Sequence, residues 1–206
     1  MNTSRKLFST ILVLLFLTAS GFTILNNSTT VNATQWEIDK AHSNISFEVN
    51  HFFTAVSGQF NDYTSEVYFD PENLDESSIS VDIKVNSIDT DNEKRDGHLQ
   101  SDDFFNAAEY PSITFESNEI ISKGNNNFVA IGTLTIKDTS TDFEIPFTLL
   151  GVQDHPMREN TKVAGMESLF TLDRTDYGVG VDDWAATTVV GDEVSVKLAL
   201  ELNSSN

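Results

Sequence analysis

The residues with the most varied chemistry are concentrated between Asp91 and Phe105, in the stretch DNEKRDGHLQSDDFF. Acids, bases, a histidine, a glycine and two adjacent phenylalanines interrupt a chain that otherwise alternates apolar and polar residues. Arg95 can bind a phosphate or carboxylate through two parallel hydrogen bonds. His98 can donate or accept a hydrogen bond near neutral pH. The composition of this stretch therefore predicts a polar site closed by an aromatic pair.

Two interpretations of these charges stay open. In the first, Arg95, His98 and His51 form the polar mouth of a binding site and contact the head group of a ligand. In the second, Arg95 and its neighbour Lys94 form ion pairs within the protein, and His98 makes a structural hydrogen bond. Exposed ion pairs of this kind contribute little free energy. The acids available for them are Glu93, Asp96, Asp102 and Asp103.

Sequence motifs of known catalytic sites are missing from the chain. It contains no H-E-x-x-H zinc pattern, no G-x-S-x-G elbow, no phosphate-binding loop and no dinucleotide fingerprint. A metal site would require distant histidines to converge in the fold; these are His42, His51, His98 and His155. We predict no catalytic residue, no metal and no cofactor. A metal-dependent hydrolase built on the histidines is kept as an alternative.

The elements that must position this stretch are β-strands. Apolar and polar residues alternate over segments of a length typical of strands, and turn residues separate these segments. One short helix is expected from about Asn92 to Leu99, within an insertion near residues 92–105. Closure into a barrel pairs every strand edge, so we predict an all-β, extended antiparallel β-barrel, with a sandwich as the alternative. The clearest strand segments are Asn44–Asn50, Ser78–Ile88, Phe128–Lys137, Thr141–Leu150, Lys162–Asp173 and the segment after Gly191.

The inward faces of these strands are rich in phenylalanine and aliphatic residues. A barrel of about eight strands has an interior that is either filled by side chains or wide enough for one small ligand. Six residues on the apolar faces are predicted to line a tunnel, although a register shift of one residue would invert this assignment. These residues are Phe47, Ile83, Phe115, Leu134, Phe147 and Leu198.

The N-terminal segment has the features of a signal peptide. Arg5 and Lys6 precede a mostly apolar stretch from Leu7 to Phe22, and Val31 and Ala33 provide small residues at a cleavage site. We predict a signal peptide over residues 1–33 and one domain over residues 34–206; an uncleaved anchor is the alternative. The formal charge of −20 argues against nucleic-acid binding. The absence of cysteine excludes disulfides and thiolate chemistry.

Several blocks of this sequence closely resemble the YceI-like family. The resemblance extends from about Gln35 to Leu202, and the central block is its most specific part. It implies a lipocalin-like barrel that holds a polyisoprenoid or another lipid-like chain, often in an exported bacterial protein, with no established catalysis. The blocks are Asp39-x-x-His42-Ser43-x-Ile45-x-Phe47, Asn92-Glu93-Lys94-Arg95-Asp96-x-His98-Leu99, Asp103-Phe104-Phe105, Tyr110-Pro111-x-Ile113-x-Phe115 and Asp173-Arg174-x-Asp176-Tyr177-Gly178.

The combined expectation is a non-enzymatic protein, exported to the periplasm or the extracellular space. It would hold a long isoprenoid or similar lipid for sequestration or transport. The alternative is a filled barrel that acts in stress or protein interaction without a small ligand. The sequence leaves a homodimer open.

Overall fold

The structure is a computed structural model, and it describes residues 33–185 and 189–205. The predicted signal peptide lies outside the described residues, except for Ala33, so it stays a prediction. None of the helices within the described ranges has both the length and the apolar character needed to cross a membrane.

Within the described residues, the domain comprises eleven strands and one α-helix. Short 3-10 turns at Leu74–Glu76, Val85–Ser87, Arg174–Tyr177 and Asp182–Trp184 connect some of them. The helix α1 spans Glu93–Leu99. The strands are β1 (Gln35–Ile38), β2 (Asn44–His51), β3 (Thr54–Phe60), β4 (Tyr63–Tyr68), β5 (Ser78–Lys84), β6 (Ile88–Asp89), β7 (Ser112–Gly124), β8 (Asn127–Ile136), β9 (Thr139–Asp154), β10 (Thr161–Asp173) and β11 (Val190–Ser205).

The strands form a closed, eight-stranded antiparallel barrel. Eleven segments give eight barrel strands because three barrel strands are interrupted: β1 continues as β2, β3 as β4, and β5 as β6. Both β1 and β2 pair with β11, which closes the barrel. Every other pairing joins barrel strands that follow one another along the chain. The predicted antiparallel barrel with one short helix is confirmed.

Two strands differ by more than one residue from their predicted bounds. The predicted strand Ser78–Ile88 breaks at Val85–Ser87, because Ser87 Oγ donates a hydrogen bond to the Lys84 carbonyl at 2.7 Å and bends the backbone locally. Strand β9 continues to Asp154, four residues beyond the end of the predicted strand Thr141–Leu150. Its last residues are exposed but pair with β10 through the backbone. They therefore lack the alternation of burial from which a strand can be predicted.

Strand connections alternate between the two ends of the barrel because neighbouring strands are antiparallel. The insertion end carries the β2–β3 hairpin, residues 90–111 with α1, and the segment that begins at Arg174. The terminal end carries the turns at residues 69–77, 125–126 and 155–160. At this end Phe69, Phe128 and Phe147 pack with ring centroids 5.1–5.4 Å apart. These three buried rings close the terminal end of the interior.

Candidate functional site

The barrel encloses a cavity of about 240 Å³. Inward-facing aliphatic and aromatic residues from most of the strands line it, together with residues of the insertion. All six residues predicted as a tunnel wall contribute to this lining: Phe47, Ile83, Phe115, Leu134, Phe147 and Leu198. The structure thus brings the six together around one apolar space. Their contact with a ligand stays a prediction.

The position of Phe47 in the wall depends on a glycine in the neighbouring strand. Gly58 of β3 is the register partner of Phe47, and a Cβ atom at residue 58 would lie only 2.4 Å from Phe47 Cζ. The Phe47 ring lies across this glycine and reaches Phe60, with ring centroids 5.6 Å apart. Glycine at position 58 therefore allows a large ring to cover the sheet.

The insertion begins with a compact hydrogen-bonded turn around Thr90. Asn92 caps α1 by accepting a hydrogen bond from the Arg95 backbone N–H at 3.0 Å. The Arg95 guanidinium donates to Thr90 Oγ1 at 2.7 Å and to the Thr90 carbonyl at 2.6 Å. Thr90 Oγ1 in turn donates to Asp96 Oδ1 at 2.5 Å. Arg95 thus fastens α1 to the end of β6, and it does not line the cavity.

His98 connects the insertion with the segment that begins at Arg174. Its Nε2 lies 2.8 Å from Asp103 Oδ2. Its ring packs edge-on against Phe104 and Trp184, with centroids 5.1 and 4.9 Å apart. His51 lies exposed at the end of β2, against the ring of Phe52. Neither histidine lines the cavity, so the predicted contact of His51, Arg95 and His98 with a head group stays a prediction.

The apolar residues of the insertion do reach the cavity. Leu99, Phe104 and Phe105 all contribute to its lining. Phe104 is buried, and the Phe105 ring packs edge-on against Phe60 with centroids 6.3 Å apart. The aromatic pair that the sequence singled out therefore supplies wall surface at the insertion end, whereas Arg95 and His98 do not.

Arg174 is a buried cation beside the cavity, and its burial was not predicted. It is 5% exposed and contributes to the lining. Its Nε donates to the Gly191 carbonyl at 2.9 Å, and a terminal nitrogen lies 3.3 Å from Asp192 Oδ1. The two terminal nitrogens also donate to four further backbone carbonyls. These belong to Val179, Gly180, Trp184 and Val190.

An arginine side chain has five N–H donors, and each nitrogen of Arg174 has at least one acceptor within the protein. No donor is left over for a ligand in the cavity. Gly180 allows this arrangement: it has a φ of +61°, and a Cβ atom there would lie 2.6 Å from Phe104 Cε1. Arg174 therefore fixes the segment that follows β10 against the barrel. The sequence hints at this role in two ways: Arg174 is the single cation between Lys162 and Lys197, and it lies in the block Asp173–Gly178 that resembles the family.

A second polar cluster lies outside the cavity, at the break between β1 and β2. His42 Nδ1 lies 3.1 Å from Asp39 Oδ2 and 3.6 Å from Glu201 Oε1. The hydrogen bond to Asp39 raises the pKa of His42 above its ordinary value, and the same bond lowers the pKa of Asp39. Within residues 33–185 and 189–205 this is the one group of three close potential metal ligands. An ion pair accounts for its geometry, and the absence of a metal stays a prediction.

The sequence is similar to known proteins over most of its length. A family model described as YceI-like domain matches residues 36–202, which is most of the chain. The chain belongs to the YceI-like family. A UPF0312 protein of Vibrio cholerae is 33% identical over 153 residues, covering 73% of this chain and 80% of that protein. The predicted family is therefore confirmed.

Solved structures give the same fold. BcnA of Burkholderia cenocepacia superposes with a TM-score of 0.72 at 27% identity, covering 82% of this YceI-like chain and 100% of that chain. A domain of Saccharophagus degradans, described as polyisoprenoid-binding and implicated in plant cell wall breakdown, superposes with a TM-score of 0.61. That match covers 83% of this chain and 99% of the other, and at 14% identity it indicates the fold alone.

Proposed function

We propose that this YceI-like protein binds one long apolar molecule, an isoprenoid or a similar lipid, inside its barrel. The observation that carries the proposal is the apolar cavity. Among the residues that line it, only Glu167 and Arg174 are charged. Glu167 is exposed, and the donors of Arg174 are used within the protein. A ligand that fills such a space gains about 0.8 kcal/mol for each buried methylene group.

The six residues predicted from the sequence are the proposed wall: Phe47, Ile83, Phe115, Leu134, Phe147 and Leu198. Together they extend from the insertion end to the aromatic cluster at the terminal end, so a chain-like ligand can contact several strands at once. A charged head group has no partner along this wall. We therefore place the polar part of the ligand at the insertion end, where His51, Arg95 and His98 lie.

A domain of Saccharophagus degradans described as polyisoprenoid-binding has the same fold, so a barrel of this kind suits the proposed ligand. Sequestration or transport fits a protein that encloses its ligand, and the basic and apolar N-terminal segment supports export. We propose no catalytic step. A barrel filled completely by its own side chains is the alternative, and a cavity of about 240 Å³ favours the ligand-binding function.

The first test is organic extraction and mass spectrometry of the protein purified from a bacterial host. We expect an apolar long-chain molecule at about one per barrel, as a cavity of this type holds one ligand. A protein that co-purifies with nothing and also fails to bind geranylgeraniol or the apolar dye N-phenyl-naphthylamine would refute the proposal.

A pair of variants then tests the wall. Leu198→Glu places a carboxyl group on the cavity side of β11, without a partner. Thr171→Glu adds the same group to the exposed face of β10, opposite Ser195 of β11. Burying an unpaired polar group costs about 1–3 kcal/mol, so Leu198→Glu should weaken dye binding by about tenfold or more. Thr171→Glu should bind like the parent protein. Equal binding by both folded variants would contradict the assignment of this face.

A further inference from the structure

The hydrogen-bonded ladder between β9 and β10 stops halfway along the barrel. It runs from Lys162↔Asp154 to Glu167↔Thr148 and no further, although every residue of both strands is described. Beyond that point β9 remains paired with β8, and β10 remains paired with β11. The facing edges of residues 139–147 and 168–173 therefore separate. We call this gap the β9–β10 seam.

Pro146 explains why the ladder ends where it does. If the register continued, Leu169 would face Pro146, which has no N–H to donate. Ser168 Oγ instead donates to the Pro146 carbonyl at 2.5 Å and ends the ladder with a side-chain hydrogen bond. Further along, the seam is bridged by side chains. The Tyr177 hydroxyl lies 2.7 Å from Thr141 Oγ1.

The cavity lies directly behind the seam. Ile145 and Phe147 from one edge, and Ser168, Phe170 and Leu172 from the other, all line it. Between the two edges, the rings of Phe143 and Phe170 pack edge-on with centroids 5.5 Å apart. Both rings are only half-buried. Two aromatic side chains thus cover the wall of the cavity at a place where no backbone ladder seals it.

The other described boundaries of the cavity are held more firmly. At the terminal end, the rings of Phe69, Phe128 and Phe147 are buried and pack against one another. At the insertion end, Arg174 holds the segment after β10 through hydrogen bonds to five carbonyl groups and contact with Asp192. Movement of either would break a buried core contact or a network of charge-assisted hydrogen bonds. Rotation of Phe143 and Phe170 away from each other breaks no hydrogen bond.

We propose that the apolar ligand enters and leaves the barrel sideways through the β9–β10 seam, with Phe143 and Phe170 as the gate. The inference rests on the proposed function, since it assigns a route to the ligand of that cavity. A sideways route suits a flexible chain, because the chain can slide in along the length of the gap and need not be threaded from one end.

The test is a reversible crosslink between the two gate residues, Phe143 and Phe170. The chain has no cysteine, so the double substitution Phe143→Cys and Phe170→Cys can be bridged by a short bifunctional methanethiosulfonate and released with a reductant. The control bridges Thr133→Cys and Asp142→Cys, which are register partners on β8 and β9, where the ladder is intact. The rates of uptake and release of N-phenyl-naphthylamine are measured by stopped-flow fluorescence, before bridging, after bridging and after reduction.

We expect the bridged gate variant to exchange the dye at least about tenfold more slowly than the same protein after reduction, because gate opening limits exchange. The bridged control should exchange at its unbridged rate. If the bridged gate variant binds the dye and exchanges it as fast as the reduced form, the seam is not the route. A parent protein that co-purifies with nothing and binds neither geranylgeraniol nor the dye would instead refute the proposed function, so the two failures are distinguishable.

A single substitution gives an independent readout if the double variant does not fold. Phe143→Ala removes one half of the gate without touching the hydrogen bond of Ser168, and Phe143 is not part of the cavity lining. We expect uptake and release to accelerate together by roughly twofold to tenfold, as for the loss of one aromatic pair, with little change in affinity. Unchanged rates in the folded variant would overturn the gate assignment.

Discussion

Loss of the Arg174 guanidinium should destabilise the protein strongly, because no other side chain can replace a buried cation whose hydrogen-bond donors are all in use. Methionine has a similar length and no donors, so Arg174→Met leaves five backbone carbonyls and the Asp192 carboxylate without their partner. Removing one member of a buried ion pair costs about 3–5 kcal/mol. We expect the free energy of unfolding to fall by that amount.

For a domain of this length, each kcal/mol lowers the melting temperature by about 2–4 °C, so the expected decrease is roughly 6–20 °C. Urea unfolding followed by circular dichroism measures the free energy for the whole barrel. The fluorescence of Trp184, whose carbonyl accepts a hydrogen bond from Arg174 at 3.0 Å, reports on the segment itself. Arg174→Lys keeps the charge but loses the planar fork of donors. Its free energy of unfolding should lie between those of the parent protein and Arg174→Met.

Arg158→Met is the matched control, since Arg158 is exposed and donates one side-chain hydrogen bond, to Asn203 Oδ1 at 2.9 Å. It should change the free energy of unfolding by no more than about 0.5 kcal/mol, as is usual for surface substitutions. A loss below about 1 kcal/mol for Arg174→Met would refute the conclusion that this side chain holds the segment after β10 in place.

Two further predictions concern the outer ion pair and a glycine. The ring of His42 should titrate above its ordinary pKa of 6.5, so its stabilising contribution is complete below about that pH and is lost as the pH rises through the raised pKa. In NMR titrations Asp39→Asn should lower the pKa of His42; an unchanged pKa would show that the pair is not responsible. Gly180→Ala should cost about 2–4 kcal/mol of unfolding free energy, because the positive φ disfavours alanine and the added methyl group meets Phe104. Gly151→Ala, which adds a methyl group into open space, should have little effect; equal effects of the two substitutions would contradict this explanation.

The sequence predicted the features that follow from local alternation. Six wall residues were assigned by the side of the strand on which they lie, and all six line one cavity because the period of a strand is two residues. The short helix was expected from about Asn92 to Leu99, and α1 spans Glu93–Leu99.

Features that depend on distant backbone groups could not be predicted in the same way. The role of Arg174 depends on carbonyl groups of residues 179–184 and 190–191, which are distant from it in sequence and converge only in the folded protein. The size of the cavity depends on how closely opposite walls approach, and alternation gives no measure of that. The seam could be anticipated in part, because Pro146 within an alternating strand predicts an edge or a bulge.

The order of the strands has a consequence for how the chain reaches this fold. Neighbours in the barrel are neighbours along the chain, except where β1 and β2 meet β11. A chain synthesised from its N-terminus can therefore build the sheet one hairpin at a time, because each new barrel strand pairs with the one before it. It nevertheless keeps two unpaired edges until its last strand is available. Loss of residues 190–205 would leave a curved open sheet with an exposed apolar face, a form prone to aggregate through its edges. The C-terminal strand thus completes the barrel and also protects the N-terminal strands from pairing with other chains.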